Sequence, residues 1–160
     1  MKVILGHSNS VLSCHIDILV RNNLDKEIDI ISNLDSHDET VLYKNNKLII
    51  NEYFSEMYSC NLSNNYILGV NSPTSKNKVY NYFLNNNQIN YKLYINLIPK
   101  EIILPDIINL GHGITISYGV TIAPYTTINN FVSINRNSSI GHHCVLDDFV
   151  TINPGVNYFS

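Results

Sequence analysis

The sequence predicts a small α/β domain over residues 1–98 followed by a parallel β-solenoid over residues 99–160. Three observations carry this reading. Before Pro99, short apolar runs alternate with segments of helical periodicity, the pattern of a small parallel α/β domain. After Pro99 no helical pattern survives. From Leu110 an aliphatic residue then returns at every sixth position: Leu110, Ile116, Ile122, Ile128, Ile134, Ile140, Leu146, Ile152. Neither an α-helix nor a hairpin has a period of six, whereas a β-solenoid built of stacked repeats does.

Lys2–Leu5 is a short buried strand. Asn9 or Ser10 caps a helix to about Val20, with Val11, Leu12, His15, Ile16, Leu19 and Val20 on one face. Ile28–Ile31 is a second strand and Lys47–Ile50 a third extended piece. Tyr66–Val70 is a further strand, and Asn71-Ser72-Pro73 starts a helix over 74–86 with Val79, Tyr80, Phe83 and Leu84 inward. Tyr91–Ile98 is extended and ends at Pro99, and Ile102–Pro105 make the transition.

In the repeat, a second inward position precedes each aliphatic by two: Ile114, Val120, Thr126, Val132, Ser138, Cys144, Val150, Val156. Residues two apart on a strand share a face. The residues between them, from Thr115 and Thr121 to Val145 and Thr151, must face outward. Small or turn-forming residues follow the aliphatic, among them Gly111, Ser117, Ala123, Asn129, Asn135 and Gly141, and are expected to make the corners. Three such strands close a coil of eighteen residues, giving almost three coils. A meander of hairpins needs turn signals every ~8–12 residues, which this spacing does not provide.

Composition narrows the function. The formal charge is -3, and Lys and Arg are scattered, so no basic footprint for nucleic acid is visible. No apolar run reaches membrane-spanning length. Met1–Leu5 is too short for a signal-peptide core. Cys14, Cys60 and Cys144 are few, odd in number and far apart, and read as reduced thiols of a cytoplasmic chain. The abundance of Asn, Ile, Lys and Tyr fits AT-rich codon usage.

The repeat resembles the hexapeptide motif of left-handed β-helix acyltransferases. The segment Asn137-Ser138-Ser139-Ile140-Gly141-His142-His143-Cys144-Val145 is similar to the signature SS-[IV]-x-H-[ED]-C-V of the NeuD/PglD-like sugar acetyltransferases, and the match runs on through Asp147–Gly155. The resemblance implies a Rossmann-like first domain that holds a nucleotide sugar. It further implies a left-handed β-helix, acetyl-CoA as co-substrate lying along the coils between subunits of a homotrimer, and no metal. The acceptor would be the amine of a UDP-linked 4-amino-6-deoxy sugar.

Carried over residue by residue, His142 would be the general base, an imidazole being suited to proton transfer near neutral pH. His143 stands where the family has Glu or Asp and would support the base. Asn135 would line the sugar pocket. Gly6 and Ser8, in Gly6-His7-Ser8-Asn9-Ser10, match part of a glycine-rich turn after the first strand. Asp35 follows the second strand, where the family reads uracil or ribose, and Gly69 and Asn71 match the next turn. The repeat ends at Ser160 within the third coil, where the family continues, so a truncated solenoid is expected.

Other readings compete. A worn repeat could be a non-catalytic nucleotide-sugar-binding or assembly module, and the same site could serve O-acetylation. A hexapeptide carbonic anhydrase would need three metal-binding histidines. His112, His142 and His143 are available, but His112 lies five hexapeptides from His142, on a different corner, and adjacent histidines on an extended chain point opposite ways. Serine and maltose acetyltransferases share the solenoid, but their N-terminal regions are helical.

Overall fold

The computed structural model describes residues 1–6, 8–22, 27–32, 49–55 and 58–159. It opens with β1 (Lys2–Leu5), α1 (Asn9–Arg21), β2 (Glu27–Ser32), β3 (Ile49–Phe54), β4 (Asn65–Leu68) and α2 (Pro73–Asn87). The four strands make one parallel sheet in the order β3-β2-β1-β4. Val3 pairs with Asp29 and Tyr66, and Leu5 with Ile31 and Leu68. Of the expected piece Lys47–Ile50, residues 47 and 48 lie outside the described residues.

One sheet face packs Ile4, Ile28, Ile30 and Ile67 against Leu12, Ile16, Ile18 and Leu19 of α1. The other packs Val3, Leu5, Tyr66 and Leu68 against Val79 and Phe83 of α2. Each of these side chains is at most 5% exposed, and full burial of an aliphatic contributes about 1.5–3 kcal/mol.

The helix boundaries differ from expectation in small ways. The residue before α1 is Ser8, one earlier than Asn9, and its carbonyl accepts from the Val11 and Leu12 amides. Ser72 caps α2, its Oγ accepting from the Ser75 amide at 3.1 Å. Lys76, which the amphipathic pattern places on the polar side, is 1% exposed. Tyr91–Leu93 is a 3-10 turn rather than extended chain, because the Asn90 side chain accepts from the Lys92 amide and curls it.

The chain then runs through a shared segment, residues 94–97. Tyr94 bridges to Tyr66 and the Ile95 amide donates to the Tyr66 carbonyl, so this segment continues the first sheet beyond β4. Three residues later, Leu97 bridges to Thr115. The Leu97 amide donates to Ile114 and its carbonyl accepts from Ile116, at 2.7 and 3.0 Å. One stretch of backbone therefore belongs to both halves.

The solenoid follows as β5 (Ile108–Leu110), β6 (Thr115–Ile116), β7 (Thr121–Ile122), β8 (Thr126–Ile128), β9 (Ser133–Ile134), β10 (Ser139–Ile140), β11 (Val145–Leu146), β12 (Thr151–Ile152) and β13 (Asn157–Tyr158). They form three parallel three-stranded sheets, β5-β8-β11, β6-β9-β12 and β7-β10-β13. Thr115 pairs with Ser133 and Ser133 with Thr151, a register of eighteen residues. Ile114, Ile116, Ile128, Val132, Ile134, Ile140, Cys144, Leu146 and Ile152 fill the interior. Coils stack at the ordinary spacing of paired strands, about 4.8 Å.

The corners are not where the small residues sit. The backbone enters the left-handed region at Gly113, Gly119, Tyr125, Phe131, Asn137, His143, Phe149 and Gly155, with φ between 57° and 73°. Each lies three residues past the aliphatic, two beyond the expected corner. At Phe131, Asn137, His143, Phe149 and Gly155 the amide donates to a carbonyl of the coil before: His112, Tyr118, Pro124, Asn130 and Arg136 respectively. The conformation is disfavoured for residues with a Cβ, so the stacked coil imposes it.

Candidate functional site

The corners form three columns. The first contains His112, Asn130 and Asp148, with Gly113, Phe131 and Phe149 after them. The Asp148 carboxylate accepts from the Asn130 amide at 2.7 Å, and the Asn130 side chain accepts from the His112 amide at 3.0 Å. Phe131 and Phe149 stack at 4.9 Å and 15°, against Tyr80 and Tyr94. Lys76 is buried behind them. Its ammonium donates to the Phe131 carbonyl at 2.7 Å, the Val150 carbonyl at 3.0 Å and Ser133 Oγ at 3.2 Å. Burial lowers the Lys76 pKa to about 7, while these three acceptors satisfy all its donors. Ser133, expected to face outward, is consequently buried between the two halves.

The second column holds Tyr118, Arg136 and Pro154, and the third Pro124, Tyr125, His142 and His143. His142 is exposed, as its place on an edge of the prism predicts. The two histidines do not point apart as on a strand. They are the two central residues of the turn, His143 at φ 57°, and their Nδ1 atoms approach to 2.9 Å. The His143 ring stacks on Tyr125 at 4.9 Å and 13°. Among the described residues no carboxylate bonds either ring; Asp148 is engaged by Asn130 on another corner. His112, also on that other corner, lies edge-on to Tyr91 at 5.4 Å. Among the described residues no cluster of three His, Cys, Asp or Glu could hold a metal. No helix among them is long and apolar enough to cross a membrane.

Gly6, Ser8 and Gly69 meet at the ends of β1 and β4. Gly6 has φ 66°, and a Cβ at Gly69 would collide with the Gly6 carbonyl. The Ser8 amide donates to the Gly69 carbonyl at 3.0 Å and the Gly69 amide to Leu5 at 2.9 Å. Both amides are thus engaged within the fold, leaving the first turn of α1 as the source of open donors. Asp35 lies outside the described residues.

A cavity of about 460 Å³ runs from Ser10 in that turn, along α1, to the second corner column. Asn71 and Asn135 both line it, although 64 residues separate them in sequence. The Asn71 carbonyl accepts from Thr151 Oγ1 at 2.6 Å, and Asn135 Nδ2 donates to the Ile152 carbonyl at 2.7 Å. Two residues that sequence reasoning did not single out as polar lining are His15 and Tyr118. Each has a buried polar atom, and among the described residues His15 Nδ1 has no hydrogen-bond partner, while the Tyr118 hydroxyl lies beside Asp17. Burial holds the His15 pKa down at about 4 and pushes Tyr118 up to about 12. His15 was legible only as an apolar-face residue of α1; a histidine among Leu12, Ile16 and Leu19 was the available signal. His142 is not part of this lining.

No protein-family profile and no curated protein matches the sequence significantly. Solved structures do match in fold. The acetyltransferase domain of PglB from Neisseria gonorrhoeae, in complex with acetyl coenzyme A, superposes with TM-score 0.77 at 13% identity, covering 98% of this chain and 72% of that one. PerB from Caulobacter crescentus, in complex with CoA and GDP-perosamine, gives 0.75 at 16%, covering 99% and 71%. WeeI from Acinetobacter baumannii gives 0.73 at 18%, covering 100% and 73%. What these three proteins share with this chain is the fold, over 98–100% of its length.

Proposed function

We propose that this chain is a cytoplasmic acetyltransferase that moves an acetyl group from acetyl-CoA to the amine of a nucleotide-linked amino sugar, of the UDP-4-amino-6-deoxy type. The observation that carries the reading is the cavity between α1 and the solenoid. It joins Asn71 of the first domain to Asn135 of the repeat, with Arg136 at the second corner column beside them. Residues 1–98 act as the Rossmann-like nucleotide-sugar domain and residues 99–160 as the β-helix. The open donors at the start of α1 suit a phosphate. Gly6 and Gly69 keep the turn beside it close-packed, and Asp35 is assigned to the nucleoside.

His142 stands on the third corner column and the cavity opens at the second. One chain therefore does not bring base and acceptor together by itself. A homotrimer packed along the β-helix would set His142 of one copy against the cavity of the next. Acetyl-CoA supplies the acetyl group as an activated thioester. The faces flanking the His142 corner carry the small side chains Thr121, Ser139, Thr127 and Val145, which leave room for an elongated ligand along the coils. His142 Nε2 takes the proton from the amine as its nitrogen bonds to the acetyl carbon. The C–S bond breaks, and the thiolate leaves to be protonated as CoA thiol.

The test is acceptor-dependent CoA-thiol release with UDP-4-amino-4,6-dideoxyglucose, its GDP-linked counterpart and the matching 4-hydroxy sugars. Release with an amino sugar, lost in His142→Ala, is expected. Mixing His142→Ala with a cavity variant, Arg136→Glu, should restore part of the activity if the site is shared between copies. No release with any acceptor would leave a binding or assembly module. Release with the hydroxy sugars alone would make it an O-acetyltransferase.

A further inference from the structure

The turn between β10 and β11 has histidine at both of its central positions, His142 and His143. Resting on the reading of His142 as the base, we propose that His143 is a positioning residue. It acts as a neutral hydrogen-bond acceptor that fixes the tautomer of His142, and Tyr125 is the plate that holds His143 in place.

The two Nδ1 atoms stand 2.9 Å apart. A hydrogen bond at this distance needs one Nδ1 to carry a proton and the other to present a lone pair. Two arrangements satisfy it. If His142 donates, its Nδ1 holds the proton and its Nε2 lone pair is free to act as a base. If His143 donates, His142 carries its proton on Nε2 and has no free lone pair there. Catalysis selects between them. Once His142 has taken a proton at Nε2, both its nitrogens are donors. Only the first arrangement reaches that state without moving the bridging proton. His143 then keeps its own proton on Nε2 and accepts at Nδ1, so the transfer leaves an imidazolium bonded to a neutral imidazole.

The rings are held for this. His143 sits at φ 57°, and its amide donates to the Pro124 carbonyl at 3.3 Å, which fixes its backbone. Tyr125, one coil earlier in the same column, stacks on the His143 ring at 4.9 Å and 13°. The His142 ring stands almost perpendicular to that of His143, at 86°, with the two Nδ1 atoms at their 2.9 Å approach. No carboxylate among the described residues takes the His143 role.

The first column supplies the control substitution. Phe131 and Phe149 occupy the same corner position at φ 59° and 63° and stack at 4.9 Å and 15°, nearly the Tyr125–His143 geometry. His143→Phe therefore keeps the backbone and the stack and removes only the acceptor. We expect kcat to fall about 10–100-fold with KM little changed, the range seen when the hydrogen-bond partner that orients a metal-ligating imidazole is removed. His143→Asp should recover most of kcat and move the acid limb of the pH–rate profile to higher pH, since a carboxylate attracts the imidazolium. Tyr125→Phe should match the parent, and Tyr125→Leu should lose part of kcat. Imidazole ¹⁵N shifts of the intact protein give a readout independent of turnover: His142 should be the Nδ1–H tautomer in the parent and a mixture in His143→Phe. Full kcat and an unchanged tautomer in His143→Phe, with His142→Ala inactive, would overturn the proposal and leave the base standing. An active His142→Ala would overturn the base itself.

Discussion

The first and third corner columns of the solenoid have the same backbone and nearly the same aromatic stack, yet opposite surroundings. Phe131 and Phe149 lie under α2, with Tyr80, Tyr94 and Lys76 around them, and Phe131 is 2% exposed. Tyr125 and His143 stack in the open, Tyr125 being 55% exposed. The repeat fixes where a side chain stands, and the neighbouring domain decides whether it serves stability or faces a ligand. Aromatic rings at the covered corner are core residues; the same geometry uncovered presents a polar ring nitrogen to its neighbour.

Substitutions at the two columns should have unequal costs. Phe131→Ala should cost about 3–5 kcal/mol, the usual result for truncating a buried aromatic, read as a fall in urea midpoint. Acid should come next. His15 is neutral in the fold, with its pKa lowered from 6.5 to about 4, so the unfolded chain binds a proton first. Stability is then full above pH ~6.5 and falls as pH drops toward ~4, by about 3 kcal/mol at most. His15→Leu should flatten that part of the stability–pH curve; an unchanged slope would discount burial of His15. Lys76→Met leaves the Phe131 carbonyl without its ammonium donor and should cost about 2 kcal/mol by the same denaturation measurement. Tyr125→Ala, at the uncovered corner, should cost less than about 1 kcal/mol. If its cost rivalled that of Phe131→Ala, the contrast between the columns would fail.

The solenoid was legible because its inward residues repeat every six positions, and packing demands that pattern. The corners were misplaced because the eye follows Gly111, Ser117 and Asn129, whereas the left-handed residue is three past the aliphatic. Gly113, Gly119, Asn137 and Gly155, all at that phase, were the signal. Tyr, Phe and His at the same phase masked it. Lys76 was illegible because its acceptors lie 55 to 74 residues away. Helical periodicity reports one helix, not what a second domain lays across it. His142 was correctly put on an edge, but its pairing with His143 depended on a turn that alternation cannot reveal. Asn71 and Asn135 were each singled out by resemblance to a motif. That they share one cavity came only from the way β12 packs against the end of the first sheet.

The segment 94–97 has a consequence for assembly of the chain. Repeat arrays can begin ordering at any repeat and spread both ways. Here the strip that ends at Leu97 gives the first coil a ready-made edge, with Leu97 already paired to Thr115 and Asn96 bonded to Gly111 and Ile114. The solenoid then grows like a zipper from one fixed end, with the α/β domain as its template. Amide hydrogen exchange should accordingly grade along the coils, slowest near Thr115 and Ser133 and fastest near Tyr158. Uniform protection throughout would mean that the coils order as one block instead.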